Sequence, residues 1–196
     1  MDTDKARTSA LPPRLQASIG WDAVSPVRKR LRPLIGRPAE DLDLDLCCLL
    51  LGKDGKPLSP FLNSCCVYYA SPRHLSGAVM HMGNNRTGAG EGDNERVVFD
   101  LSRMPENVSR AVLAVNLYGA KERKQHLGMV KNGFFRLTDL DGGKELVRME
   151  IGKGLAHKSA VIAAELIRKN DDWLLEPVLK GISGSGSVND VADEYR

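Results

Sequence analysis

From residue 41 to residue 182 the chain is built of short apolar or alternating runs that are separated by turn residues. Each run has the length of a strand and is too short for a typical globular helix. Asp141-Gly142-Gly143, between two of the runs, is typical of a hairpin turn. With a further run at 15–21, the pattern predicts an all-β fold, either a sandwich or a barrel. The other runs are 41–51, 65–69, 78–82, 97–101, 111–118, 134–140, 145–151 and 173–182.

The chain of 196 residues is long enough for one domain with a substantial core and short for two. The polar residues 1–14 predict a flexible tail, and the sandwich domain is predicted at 15–187. Residues 23–40 contain three prolines and little periodicity, which predicts a long basic surface loop inserted between strands. Residues 188–196 predict a short terminal helix or a tail.

One stretch, residues 159–169, carries conflicting signals. Ala163 and Ala164 favour a helix, whereas the β-branched residues around them favour a strand. We predict a strand, because Asn170-Asp171-Asp172 would join it to the following run as a hairpin.

Several functional classes are disfavoured by what the sequence lacks. The longest apolar run, 46–51, is far too short for a membrane helix, and the N-terminus has no apolar segment of the secretory type. We therefore expect a cytoplasmic protein. The four histidines are scattered, with no HxxxH pair, and no GxSxG motif is present. The sequence thus predicts a protein that is not an enzyme.

The segment 83–95 combines four glycines at 83, 88, 90 and 92 with seven side chains that can offer oxygen. Calcium takes six to eight oxygen ligands at loosely defined angles, and glycines let a loop curl so that carbonyls join the carboxylates. The alternative is a long hairpin loop whose Asn, Asp and Gly residues only satisfy the turn. A phosphate cradle fits poorly, because GxGxxG is absent and the acidic side chains would repel phosphate.

A second acidic feature lies at the start of the run 41–51, where Asp41, Asp43 and Asp45 alternate with leucines. Three carboxylates on one strand face repel each other unless a positive charge lies among them, which indicates a metal. The alternative is the solvated face of an edge strand. An EF-hand is excluded, because Leu46 and Gly52 stand where that motif requires Gly and Glu.

The four cysteines form two adjacent pairs, Cys47-Cys48 and Cys65-Cys66, inside predicted strands. Neighbouring strand residues face opposite ways, so one thiol of each pair is expected to be buried. Reduced core cysteines are the simpler interpretation, since CxxC spacing is absent. The alternative function is a thiol-based protein that responds to oxidants or oxyanions through these four residues.

The basic residues between Pro26 and Pro38 have no acidic neighbours: Arg28, Lys29, Arg30, Arg32 and Arg37. Such a run is usually solvated, and no aromatic residue within it would stack on bases. Contact with nucleic acid or an anionic membrane through residues 28–37 is a weaker alternative to an acidic protein partner. The acidic loop of a second copy would be such a partner, so we expect protein partners or self-association.

Four motifs in order and spacing make the chain resemble the TerD family of bacterial tellurite-resistance and stress-response proteins. These are Gly20-Trp21-Asp22, Asp43-Leu44-Asp45, the segment 83–95 and the segment 127–137. The resemblance runs from about residue 19 to residue 184, and the glycine-rich acidic loop is its most specific part. The resemblance implies a two-sheet β-sandwich, so of the two architectures we expect the sandwich.

The resemblance implies bound calcium, a strand at 160–168 paired with 173–178, and a role in resistance to tellurite and other stresses. Metal-dependent folding or assembly is the implied mechanism. This chain departs from the family in Asn84, Asn94, Ala70-Ser71 and Gly119, which lowers the negative charge of the site and predicts weaker binding. The predicted calcium ligands are Asp22, Asp43, Asp45, Asn84, Asn85, Gly88, Glu91, Asp93, Asn94 and Glu95.

Overall fold

The computed structural model describes residues 10–24 and 41–196, which form two antiparallel five-stranded sheets packed face to face. The predicted all-β sandwich is confirmed. The first sheet has the order β4 (Val79–His81), β5 (Glu95–Asp100), β1 (Arg14–Gly20), β7 (Gly133–Asp139) and β8 (Glu145–Ile151). The second has the order β10 (Asp172–Ile182), β9 (Ala160–Lys169), β6 (Arg110–Leu117), β2 (Leu44–Leu51) and β3 (Cys66–Val67).

In the described residues, two short α-helices accompany the sheets, α1 (Leu62–Cys65) and α2 (Val188–Asp193). Single 3-10 turns lie at Leu101–Arg103, Leu127–Met129 and Lys153–Leu155. No helix in the described residues is long and apolar enough to cross a membrane.

The main core lies between the sheets and takes alternate residues of each strand. On β1 these are Leu15, Ala17 and Ile19, and on the opposing β6 they include Leu113 and Val115, all fully buried. Such alternation is what one buried sheet face requires. The strand predicted in the stretch 159–169 is confirmed, because residues 160–169 form β9, an inner strand of the second sheet that pairs with β10 and β6.

The outer face of the second sheet is buried as well. Cys47, Leu49 and Leu51 of β2 point away from the main core into a second apolar cluster, which α2 covers with Val188 and Val191. The C-terminal segment is held there by ion pairing of Lys180 with Glu194 at 2.7 Å and by the Tyr195 hydroxyl, which donates to Glu165 at 2.5 Å.

This second cluster corrects the expectation that one thiol of each cysteine pair would be exposed. All four cysteines are buried, because α2 and the segment around α1 cover the face that alternation alone would leave in solvent. Cys65 also ends α1, whereas the sequence pattern predicted a strand there. Residues 188–193 do form the predicted terminal helix.

The start of the domain differs from the prediction of a loose tail over 1–14. Within the described part of that tail, Leu11 packs against the core and its N–H donates to the Trp173 carbonyl at 2.8 Å. Strand β1 begins at Arg14, so residues 10–14 are ordered against the sandwich. Of the predicted basic loop at 23–40, residues 25–40 lie outside the described residues, and with them the basic run 28–37.

The second sheet has two edge strands, and both are irregular. Strand β3 has two residues. Strand β10 contains Pro177 and a register shift between Pro177 and Lys180.

Candidate functional site

The candidate site lies where β2 of the second sheet meets the loop between β4 and β5 of the first. Glu95, at the start of β5, joins them: its Oε2 accepts the backbone N–H of Leu46 at 2.8 Å. Its Oε1 accepts the N–H of Asn85 at 3.1 Å, and His81 Nε2 lies 3.3 Å from Oε2. Both side chains of the His81–Glu95 pair are buried. One carboxylate therefore fixes the two sheets and the acidic loop relative to each other.

Beside Glu95 lies an open pocket of about 200 Å³ with two aspartates in its wall. Asp43 precedes β2 and Asp45 lies in it, and the two residues are 5% and 1% exposed. Asn116, opposite Asp45 on β6, donates its Nδ2 to Asp45 at 3.1 Å. Asp43 Oδ1 and Asn116 Oδ1 are buried without a hydrogen-bond partner in the described structure. The pocket is lined by Asp43, Asp45, Tyr69, Asn84, Arg86 and Tyr118.

The electrostatics of the pocket disfavour negative charge on the two aspartates. Burial, followed by repulsion from Glu95 and Asp43, raises the pKa of Asp45 to about 8. Burial also raises the pKa of Asp43, although the Arg86 guanidinium works in the opposite direction. Carboxylates in this situation either hold protons at neutral pH or need additional positive charge. The acidic residues thus lie within the fold, not on the solvated edge face that was the alternative.

The rim of the pocket carries aromatic and cationic groups. The rings of Tyr69 and Tyr118 are nearly perpendicular, with centroids 6.3 Å apart. The guanidinium of Arg123 lies 5.3 Å from the centroid of the Tyr118 ring. Arg86 extends from the acidic loop, and its Nε is 3.6 Å from Asp43 Oδ2. The two aspartates in the pocket wall therefore face the guanidinium groups of Arg86 and Arg123 at the rim.

Three of the predicted ligands shape the loop through their own contacts. Asn85 Oδ1 accepts the N–H groups of Thr87 and Gly88, and Asn94 Oδ1 accepts the N–H of Trp21 at 2.7 Å. Gly88 has a φ of +71° and packs so closely on Trp21 that a Cβ would lie 2.4 Å from its Nε1. Glycine is required there by both backbone conformation and space.

Three other predicted ligands lie away from this pocket. Asp22 and Glu91 line a second groove of about 470 Å³, and Asn132 Nδ2 donates to Asp22 at 2.7 Å. Asp93 makes two parallel hydrogen bonds with Arg136, at 2.9 and 2.8 Å. The structure therefore divides the ten predicted residues. It brings Asp43, Asp45, Asn84 and Glu95 together and places Asp22, Glu91 and Asp93 elsewhere.

The side chains of the pocket offer oxygen donors to a hard cation, although few of them are carboxylates. Among the described residues, no three side chains of His, Cys, Asp and Glu are grouped so that they could hold a metal ion together. Asp43 and Asp45 do offer buried carboxylate oxygens, and Asp43 Oδ1 has no partner in the described structure. Oxygen donors of this kind suit calcium. The residues fit a cation held by two carboxylates, with amide oxygens such as those of Asn84 and Asn116 and with water completing its shell.

Four residues at the pocket were missed by the sequence analysis. Asn116 had a signal, because it is a polar residue within the apolar run 111–118 and is fully buried. Arg86 lies in the acidic loop but offers no oxygen, so the sequence gives no sign that it belongs to a metal site. Tyr69 and Tyr118 end apolar runs and gave no signal that separates a pocket wall from a core residue.

The chain matches the sequence model of a known protein family. The family model of the TerD domain matches residues 7–195. The chain belongs to the TerD family. The TerD motifs Gly20-Trp21-Asp22 and Asp43-Leu44-Asp45 both contact the acidic loop, through Trp21 with Gly88 and through Asp43 with Arg86.

Relatives of this TerD-family chain carry names from stress and resistance biology. Stress response protein SCP2 of Bacillus subtilis (strain 168) is 31% identical over 186 residues, covering 93% of this chain and 89% of the relative. Tellurium resistance protein TerD of Serratia marcescens is 31% identical, covering 85% and 79%. A solved TerD homologue from Streptomyces coelicolor A3(2) superposes with a TM-score of 0.68 at 20% identity, covering 89% and 93%, and so supports the fold.

The alternative thiol function finds little support in the environment of the cysteines. Burial holds the pKa of Cys48 and Cys66 well above the ordinary value, and burial also raises the pKa of Cys65. A thiol with a raised pKa forms little thiolate, which is the reactive species. The arrangement favours the simpler interpretation, in which the cysteines pack the two apolar clusters.

We expect iodoacetamide to modify none of the four cysteines in the native protein at pH 7.5 within an hour, and all four in 6 M guanidinium. The physical reason is that burial denies the reagent access to all four side chains, and it also raises the pKa of Cys48, Cys65 and Cys66. Mass spectrometry of the intact protein gives the count. Rapid labelling of Cys47 or Cys66 in the native protein would instead support the alternative function, a thiol-based response to oxidants or oxyanions.

Proposed function

We propose that this chain is a non-catalytic calcium-binding module of the cytoplasm that acts in resistance to chemical stress. Calcium would be held at the pocket of Asp43 and Asp45, with Asn84 and Asn116 as further oxygen donors and Glu95 as the group that positions β2 beside the loop. Metal binding would couple to folding of the acidic loop or to assembly with other proteins.

The observation that carries the proposal is the buried aspartate pair at the junction of the two sheets. Two carboxylates that are almost fully buried, one of them with an unpartnered oxygen, are costly unless a cation is supplied. Arg86 supplies one positive charge near Asp43. The raised pKa of Asp45 supports the inference that one protein cation leaves the pair incompletely neutralised.

The biological part of the proposal comes from the relatives. Proteins named for stress response, tellurium resistance and resistance to chemical damage match this chain at 31–35% identity. We infer the same general role here. Calcium-dependent folding would give such a protein a way to respond to changes in the cell's cation balance.

Calcium at about one hundred times its dissociation constant is expected to stabilise the fold by about 2.7 kcal/mol, because only the native state holds the assembled pocket. For a domain of this size, that raises Tm by roughly 5–10 °C. The measurement is a thermal melt in chelator and in excess calcium, with isothermal titration to give the affinity.

The control replaces the pocket carboxylates. The double variant Asp43→Asn, Asp45→Asn should lose the calcium-induced shift, whereas Asp54→Asn, at an exposed position in the turn after β2, should keep it. Millimolar calcium that leaves the wild-type Tm unchanged and produces no titration heat would contradict the proposal.

A further inference from the structure

Arg86 stands out among the charged residues around the pocket because it belongs to the acidic loop itself. Its Nε lies 3.6 Å from Asp43 Oδ2, in an ion pair between a guanidinium side chain that is 71% exposed and a carboxylate that is 7% exposed. The loop backbone on either side is fixed, by Asn85 N–H to Glu95 and by Asn85 Oδ1 to the N–H of Thr87. Arg86 is therefore tethered close to the carboxylate it faces.

The pair places a protein cation beside Asp43 Oδ2, while Oδ1 of the same carboxylate has no partner in the described structure. A divalent ion on Asp43 would lie within a few ångströms of the guanidinium, and at that distance the two positive charges repel. The exposure of Arg86 means that its side chain can swing into solvent without unpacking any part of the core. A metal ion at Asp43 would thus compete with Arg86 for the same carboxylate.

We propose that Arg86 is a built-in competitor that sets the affinity and the ion selectivity of this site. The inference rests on the proposed cation binding and adds to it a named regulator. In the metal-free protein Arg86 neutralises Asp43, and in the loaded protein it is displaced. Its tethered charge makes Asp43 available only to an ion that binds more strongly than the guanidinium does.

The selectivity follows from charge and tethering. A potassium or sodium ion brings one positive charge, the same as Arg86, and must compete with a group whose effective concentration at Asp43 is high because the loop holds it there. A divalent ion brings twice the charge, and its attraction to the two aspartates is correspondingly larger. Arg86 therefore rejects the abundant monovalent ions more strongly than it rejects calcium.

The experiment compares Arg86→Gln with wild type by calcium titration and thermal melting at low salt. We expect roughly three- to tenfold tighter calcium binding in the variant, because the competing charge is gone. The metal-free variant should melt a few degrees below wild type, and the calcium-loaded forms should melt together. If Arg86 is fully displaced by metal, the loss in metal-free stability and the gain in affinity measure the same exchange.

Two further variants distinguish the effect of a positive charge beside Asp43 from the effect of a positive charge elsewhere on the surface. Arg86→Lys keeps the charge and should stay close to the wild-type affinity. Arg96→Gln removes the same charge at an exposed position one residue after Glu95 and should change the affinity less than twofold. Added potassium chloride should weaken calcium binding more steeply in Arg86→Gln than in Arg86→Lys, since ionic strength is equal in the two series.

The outcomes separate this inference from the proposed function. If neither the wild-type protein nor any variant binds calcium, the proposed function and this inference are both wrong. If wild type binds calcium and Arg86→Gln binds it with unchanged affinity and unchanged potassium dependence, the inference alone is overturned. Tighter binding in Arg86→Gln and in Arg96→Gln alike would also overturn it, because general charge would then explain the effect.

Discussion

Replacing Glu95 by alanine is expected to lower the free energy of unfolding by about 3–5 kcal/mol, the range typical of breaking a buried polar pair. The side chain is buried and accepts hydrogen bonds from Leu46 N–H and Asn85 N–H, with His81 beside it. Removing it leaves a buried donor of β2 and a buried imidazole without this partner. Urea denaturation of the metal-free protein measures the change, and Tm should fall on the order of 10 °C.

The glutamine variant separates hydrogen bonding from charge. Glu95→Gln keeps an acceptor oxygen for the Leu46 N–H, so we expect it to lose clearly less stability than the alanine variant. Glu106→Ala, at an exposed position, should stay within about 0.5 kcal/mol of wild type. A Glu95→Ala protein as stable as Glu106→Ala would mean that this carboxylate does not hold the two sheets together.

The second large effect concerns Asp45 and the pH dependence of stability. Its pKa is about 8 in the fold against 3.8 as the ordinary value, so the native state keeps a proton that the unfolded chain releases across this window. Stability of the metal-free protein should therefore fall as pH rises from about 4 to 8. Between pH 5 and 7.5 we expect Asp45 to account for a loss of about 2–3 kcal/mol.

The Asp45→Asn variant should remove that dependence. The amide is nearly isosteric and uncharged, so the metal-free variant is expected to be more stable than wild type at pH 8 and similar to it at about pH 4, near the ordinary pKa of the aspartate. Calcium should then have lost part of its effect, because a carboxylate ligand is gone. Denaturation at several pH values in chelator tests this, with Asp54→Asn as the exposed control. Equal pH slopes for wild type and Asp45→Asn would show that this aspartate is ionised in the metal-free fold.

The strands were predictable because alternation and turn chemistry are local properties of the chain. Strand β9 was the hardest strand to predict. There, the prediction of a hairpin with β10 outweighed the helix propensity of Ala163 and Ala164. The burial of both cysteines of each pair could not be predicted. It depends on α2, more than 120 residues beyond Cys66, crossing the outer face of the second sheet.

The candidate site was predictable in part for the same reason. Acidic residues that alternate into an apolar run indicated Asp43 and Asp45, and the structure brings both beside the acidic loop. Sequence could not tell that Asp93 turns away from them. Its partner Arg136 lies 43 residues further along the chain, and only the pairing of β1 with β7 brings that arginine to the loop.

The irregular edge strands of the second sheet affect how readily another chain can pair with this protein and aggregate on it. A long, regular edge strand exposes a row of backbone donors and acceptors on which another chain can polymerise. Strand β3 is too short to serve as such a template, and in β10 the imide nitrogen of Pro177 and the adjacent bulge interrupt the row. Strand-by-strand aggregation on these two edges is thereby obstructed, so a second chain that meets either edge finds no continuous row of backbone groups to pair with.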